Sequence, residues 1–243
     1  MLISNYQERQ QRTADKQQRL LTLLRDETWS AAPMMAQWLN LSISATYKTL
    51  SRLEQQHLIK VYYVEDLKYK IWGITPDGLL MAWQQDEVMQ NRPYFQPSKI
   101  KPVMMQHHLD LQQARLNAEQ AGWQNWYLGS LLPRQIGKRP DAIVTSLNEQ
   151  IIAVELERTV KTKKRYEAIF SYYLQAIKQG QYQSVHYVCP SPEFATRLKR
   201  LFNLIESVPV AGERVKIQDK HRQKLPVFSL NNWPPKPEKH LIR

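Results

Sequence analysis

Cysteine is nearly absent: Cys189 is the only one in 243 residues. A single thiol excludes an intrachain disulfide and a cysteine-rich zinc site, and it fits a reducing, cytoplasmic setting. No apolar run reaches the roughly 18 residues that span a bilayer, so no membrane insertion is expected. The opening MLISNYQERQQR lacks the apolar stretch of a secretory signal. There is no glycine-rich phosphate loop, no Ser-His-Asp order that can be placed, no internal repeat and no low-complexity block.

What is plentiful is positive charge, and it is unevenly placed. The net charge is +12. Residues 1–90 hold ten Lys and Arg against ten Asp and Glu, so the whole excess lies in 91–243. Within that part, 158–200 has nine basic and two acidic residues, and 213–243 has eight and three. Such a field suits a polyanion, most simply nucleic acid; the alternative is a basic surface that only confers solubility. Hydrophobic residues make up 42% of the chain, enough for a real core.

The first third has short-helix punctuation. Residues 17–24 and 31–39 read as amphipathic helices. LNLS then makes a turn, and Ser42 or Ser44 caps a third helix running to about residue 56. Leu50 and Leu53 point inward, leaving Ser44, Ala45, Tyr47, Lys48, Ser51 and Arg52 outside. LIKVYYVEDLKYKIWGIT follows as strand, polar turn around Glu65-Asp66, and strand. Thr75 and Pro76 begin another helix. Helices joined by a tight turn and followed by a hairpin resemble winged-helix DNA-binding domains, especially over SISATYKTLSRLEQQHLIK. That resemblance implies a recognition helix in the major groove, with Ser44, Tyr47, Lys48 and Arg52 facing DNA. The alternative is a winged helix used for protein contacts, which the neutral charge of 1–90 favours.

The domain boundaries expected are 1–90 for this winged helix, 91–103 for a linker, 104–230 for a second domain and 231–243 for a basic extended tail. Pro93, Pro97 and Pro102 disfavour helix and sheet in the linker. The second domain reads as helix 104–120, strands 126–130, 141–147 and 151–157, helix 161–179, strand 184–189 and a helix capped by Ser191, with late strands at 215–218 and 226–230. This order predicts an α/β (α+β overall) fold with a mixed sheet flanked by helices.

RPDAIVTSLNEQIIAVELE, residues 139–157, raises the chemical question, because carboxylates inside β runs are costly to bury uncompensated. Glu155 and Glu157 share a strand face. A two-residue turn at Asn148-Glu149 puts Asp141 on the opposite face, whereas a three-residue loop, Asn148-Glu149-Gln150, pairs 141 with 157 and brings Asp141, Glu155 and Glu157 together. Three converged carboxylates repel unless a cation joins them, and hard oxygen ligands suit Mg²⁺ or Mn²⁺. Arg134, Lys138 and Arg139 precede this hairpin, and Arg158, Lys161, Lys163, Lys164 and Arg165 follow it, placed to hold a phosphate backbone.

Pro140-Asp141, a hairpin and Glu155-Leu156-Glu157 resemble the PD-(D/E)XK nuclease core. More narrowly, RPDAI followed by VELERT is similar to the replication-relaxation group, which includes relaxases of the MobC type from mobilisable plasmids. The resemblance implies a PD-(D/E)XK nuclease-like domain behind the winged helix, with Asp141, Glu155 and Glu157 on the metal. The implied activity is nicking at a plasmid transfer origin, with a relaxosome accessory or coupling protein as a further partner. The chain departs from the motif at Glu157, where the family has lysine; Lys161, Lys163 or Lys164 on the next helix is the substitute. His107 and His108 are candidates for metal or phosphate. The histidines at 57, 107, 108, 186, 221 and 240 form no His-x-His pair, which speaks against tyrosine relaxases built on a histidine metal cluster. Tyr166, Tyr172 and Tyr173 read as packing residues. Two functions remain open at this point: a metal-dependent nicking enzyme, or a non-catalytic winged-helix replication or transcription regulator with a degenerate nuclease fold.

Overall fold

The first helix starts well before its apolar periodicity does. In the computed structural model, which describes residues 5–65, 69–133 and 138–236, α1 runs Tyr6–Glu27. Its front half is rich in Gln and Arg, with Glu8, Ala14 and Lys16, helix formers that need no buried face. Asn5 caps it, accepting from the Gln7 N–H at 3.0 Å, and only from Leu20 onward do its leucines enter a core. Arg134 and residues 237–243 lie outside the described residues, as does Asp66 of the expected turn.

The chain divides into two units, Met1–Gln112 and Gln113–Arg243. In the first, β1 (Trp29–Ala31), α2 (Ala32–Leu39), α3 (Ile43–Gln55), β2 (Ile59–Val64), β3 (Tyr69–Ile74) and α4 (Pro76–Met81) follow α1. Their sheet has the order β1-β3-β2, all antiparallel. This is the element order of a winged helix. β1 escapes a reading by periodicity because three residues, all buried, show no alternation. Leu20, Leu24, Met35, Leu50, Leu53 and Trp72 share one core.

The stretch expected as a linker is tied into this unit. Phe95 is fully buried against Trp29, Val64, Ile71 and Met105, and its N–H donates to Ile74 O at 2.9 Å. Gly73 makes room for it: a Cβ there would fall 1.9 Å from Phe95 Cγ. The prolines do exclude long helix and strand, but they do not free the chain.

Helix α5 (Pro102–Gln120) carries the boundary between the units. The second unit continues with β4 (Gln124–Leu128), β5 (Ala142–Thr145), β6 (Ile151–Leu156), α6 (Lys163–Lys178), β7 (Ser184–Cys189) and α7 (Pro192–Asn203). The ribbon β8 (Ser207–Val210) and β9 (Glu213–Lys216), α8 (Asp219–Arg222) and β10 (Val227–Ser229) complete it. Its five-stranded sheet is mixed, in the order β10-β7-β6-β5-β4. β4, β5 and β6 form an antiparallel meander, while β6-β7 and β7-β10 are parallel. Of the two late strands expected, β10 joins this sheet; β9 pairs with β8 in a separate two-stranded ribbon.

On one sheet face, Ala153, Val185 and Tyr187 pack with Tyr166, Phe170 and Tyr173 of α6 and with Leu198 and Phe202 of α7. The tail differs from expectation. Trp233 is buried, stacked edge-on to Trp123 and Trp126, and its indole N–H donates to His186 Nδ1 at 3.1 Å. A tryptophan that finds both apolar contact and an acceptor anchors what its proline-rich surroundings read as extended chain.

Candidate nucleic-acid interface and carboxylate cluster

Helix α3 is set up by its own cap. Asn40 takes a left-handed φ of 52° to end α2, and Ser42 Oγ accepts from the Ala45 N–H at 3.2 Å to start α3. Leu50 and Leu53 are buried, as are Thr46 and Thr49, whose hydroxyls donate to carbonyls one turn back. The outer face is then Ile43, Ser44, Tyr47, Lys48, Ser51, Arg52 and Gln55, all exposed. The only acid of the helix, Glu54, is half-buried near its C-terminal end. Tyr47 leans edge-on against Trp72 at 5.6 Å between ring centres, which fixes its ring while leaving it 43% exposed. Net neutrality of residues 1–90 therefore conceals a helix face with cations and hydroxyls and no exposed acid.

The hairpin answers the parity question. Thr145 pairs with Ile151 and Ala142 with Val154. The Ser146 N–H donates to Gln150 O, and Glu149 takes a φ of 58°. The loop thus has the odd length that convergence demands, but it is Leu147-Asn148-Glu149, one residue earlier than expected. Asp141 consequently stands opposite Glu155 rather than Glu157. All three acids still share a face, since the pairing sum keeps its parity. Gly129 seats this corner: its N–H donates to Asp141 O at 2.8 Å, and a Cβ there would lie 1.7 Å from Pro140 O.

Each acid on that face has its own protein partner. Asp141 Oδ2 accepts from the Leu156 N–H at 2.8 Å. Glu155, 6% exposed, pairs with Lys138 and accepts from the Tyr173 hydroxyl. Glu157, 4% exposed, pairs with Lys161 four residues later in the loop before α6. Burial raises the Glu155 carboxyl above its ordinary value, Lys138 opposes this, and Asp141 reinforces it. Among the described residues no three His, Cys, Asp or Glu side chains are grouped so as to hold a metal ion. As it stands, the arrangement does not fit the expected Asp141–Glu155–Glu157 ligand set for Mg²⁺ or Mn²⁺. Lys138 and Lys161 already compensate the charges of Glu155 and Glu157.

Lys138 was expected on phosphate and instead neutralises Glu155, while Lys161 carries out the corresponding task for Glu157. Arg158 is exposed in the loop after β6, and Lys163, Lys164 and Arg165 are exposed at the start of α6, whose first turn holds no acid. Arg139 is exposed, with one guanidinium nitrogen on Leu132 O at 3.2 Å. His107 and His108 belong to the first unit, not to the unit of the acids. His108 packs on Trp29 at 4.3 Å and lies 2.9 Å from Gln112 Nε2, and burial lowers its pKa.

The tyrosines behave as packing groups. Tyr166 and Tyr173 are fully buried, and burial holds both hydroxyls protonated far above neutral pH. Tyr187, opposite Glu155 in the ladder, is buried, and among the described residues its hydroxyl has no hydrogen-bond partner. Cys189 is buried, its thiol pushed up to about 12 by burial and by Glu157. Sequence reading missed the roles of Tyr173 and Tyr187 because both meet Glu155 only through the fold.

No family model and no curated protein matches the chain. Among solved structures it is similar to Lactococcus lactis ZitR, described as a zinc-responsive MarR family member, at 29% identity with a TM-score of 0.26, over 28% of this chain and 46% of that one. Wild-type ZitR in complex with DNA matches at 31% identity and the same TM-score, over 28% and 46%. The apo form of its C30AH42A mutant matches at 26% identity and a TM-score of 0.27, over 31% and 58%. The chain thus spans about half the length of these structures. Likeness at this level carries no argument about function. Among the described residues no helix is long and apolar enough to cross a membrane.

Proposed function

We propose that this protein is a duplex-DNA-binding regulator whose winged helix reads the major groove through α3. The observation that carries this reading is the exposed face of that helix, with Lys48 and Arg52 a turn apart beside Tyr47, Ser44 and Ser51 and no exposed acid. Arginine and lysine at such positions meet guanine edges or phosphates, and serines suit either. The basic second unit adds salt-sensitive contacts to the phosphate backbone through Lys163, Lys164 and Arg165. Its element order, helix, three-stranded meander, helix and strand, is that of the mixed sheet flanked by helices expected from the sequence. The motif lysine is replaced by Glu157, and the acids are satisfied by Lys138, Lys161 and the Leu156 amide. On this reading the nuclease-like unit is a phosphate-binding scaffold that has lost its chemistry.

The test is a mobility-shift measurement on duplexes selected from a randomised library. Lys48→Ala and Arg52→Ala should each weaken binding to the selected duplex by about 5- to 150-fold, the equivalent of about 1–3 kcal/mol per base contact. Affinity for random duplex should change much less. Equal loss on both would make α3 a phosphate contact only. No loss on either would leave the winged helix as a protein-contact module.

One observation favours a second reading, a metal-dependent nickase at a plasmid transfer origin: Asp141, Glu155 and Glu157 do share a strand face, with Lys161 on Glu157. Mg²⁺ or Mn²⁺ would then have to displace at least one lysine. Relaxation of supercoiled plasmid by the purified protein with Mn²⁺, absent from Asp141→Ala protein, would establish it.

A further inference from the structure

On the sheet face opposite the acids, the second unit holds a cavity of about 290 Å³ that the reading above does not use. Strand parity separates the two. Ile152 pairs with Ser184 and Val154 with His186, one register step away from the Glu155–Tyr187 pair. The cavity is lined by Trp123, His186, Ser146, Asn148, Gln150 and Ser184, with Lys236 also at its edge. Its walls are held in place. Asn117 Nδ2 donates to Leu230 O at 2.9 Å and Trp233 O at 3.2 Å, which pins the C-terminal segment.

His186 is the decisive group. It is 7% exposed. An indole N–H only donates, so the 3.1 Å bond from Trp233 makes His186 Nδ1 the acceptor. The proton of the neutral ring therefore sits on Nε2. Burial lowers the pKa to about 4, so the ring stays neutral at physiological pH. Among the described residues Nε2 has no hydrogen-bond partner. A fixed neutral donor thus stands beside the Trp123 ring, 6.0 Å away between centres. Around it are two side-chain amides, Asn148 and Gln150, that can donate and accept, and two hydroxyls.

We infer that this cavity binds a nucleobase, set against the exposed edge of Trp123 with its polar edge met by His186, Asn148 and Gln150. Side-chain amides match the paired donor and acceptor of a base edge, and the edge of Trp123 supplies an apolar contact. The volume sits just under the ~300–1,000 Å³ range of sites for drug-sized ligands, which suits one base and not a strand. The base arrives either as a free nucleoside or as an unpaired base of DNA. The inference is independent of the DNA-binding reading, because it needs neither α3 nor the acidic cluster.

The experiment titrates the full chain with each of the four deoxynucleosides and with short single-stranded homo-oligonucleotides. Tryptophan fluorescence and the imidazole Nε2–H resonance of ¹⁵N-histidine-labelled protein report binding. Expected is saturable quenching with a matching shift of the His186 resonance, for at least one base. Asn148→Ala and Gln150→Ala, both at exposed positions, should each weaken it about 3- to 10-fold. Ser184→Phe, which fills the cavity, should abolish it while duplex binding by the same sample is retained. Response to oligonucleotides alone assigns the base to DNA, and response to nucleosides assigns a free ligand. Absence of a saturable response in every arm, or undiminished binding by Ser184→Phe protein, overturns the inference.

Discussion

Lys138→Met removes the cation from a carboxylate that is almost wholly buried. Glu155 is 8% exposed at its side chain and Lys138 31%, so this pair is shielded from solvent on one side only. Removing one partner of a fully buried pair typically costs 3–5 kcal/mol. The partial exposure of Lys138, and the Tyr173 hydroxyl that remains on Glu155, place the expected loss nearer about 2–3 kcal/mol at pH 8. The pH dependence identifies the cause. Burial already raises the Glu155 carboxyl in the folded state, so the folded protein holds this proton more tightly than the unfolded chain does. Stability from this group is therefore gained as pH falls through the raised folded value and is missing above it. Without Lys138 the carboxyl rises further, so the variant should recover part of its deficit between pH 8 and pH 5. Urea unfolding at both pH values, for wild type, Lys138→Met, Glu155→Gln and the double variant, measures this directly. A deficit that is the same at both pH values, or undiminished in the Glu155→Gln background, would refute the assignment of Lys138 as the counter-ion of Glu155.

Three further outcomes follow from the geometry. His186 is held at about 4, below its ordinary 6.5, so its stabilising effect is complete above pH 6.5 and fades as pH falls toward 4. His186→Gln should therefore lose its disadvantage by roughly 2 kcal/mol between pH 7 and pH 5, read by urea unfolding. Gly73→Ala should expel Phe95 from its pocket, costing about 3 kcal/mol by the measure of a lost buried ring and exposing 91–100 to protease. Combined Lys163→Ala, Lys164→Ala and Arg165→Ala changes should lower the slope of log affinity against log salt by up to about 3 on duplex DNA while leaving sequence preference unchanged.

The legible parts of the fold were those written in local chemistry. Ser42, Thr75 and Ser191 announce α3, α4 and α7, because an N-cap needs only a side-chain oxygen and three following residues. The outer face of α3 follows from its period. The front of α1 and all of β1 did not show, the former for want of an apolar stripe and the latter for want of length. Phe95 and Trp233 were hidden for another reason: each lies in a proline-marked stretch, and its partner sits far away in sequence. Local sequence admits an even or an odd hairpin loop, so neither the parity nor the register was readable. A one-residue shift of the loop moved Asp141 from Glu157 to Glu155, and no local signal sets the loop position between Leu147 and Gln150. The lysine partners of the two glutamates were seen as basic residues near acids, and only the fold assigns them to neutralisation.

On the proposed reading α3 lies in the major groove. Dimethyl sulfate protection of guanine N7 on a selected duplex, with wild-type protein and with Arg52→Ala, tests it most directly, because N7 is reached only from that groove. The account predicts a short protected run of guanines, with at least one regaining reactivity in the Arg52→Ala complex at saturating protein. Full binding with unprotected guanines throughout, or a pattern unchanged by Arg52→Ala, would contradict it.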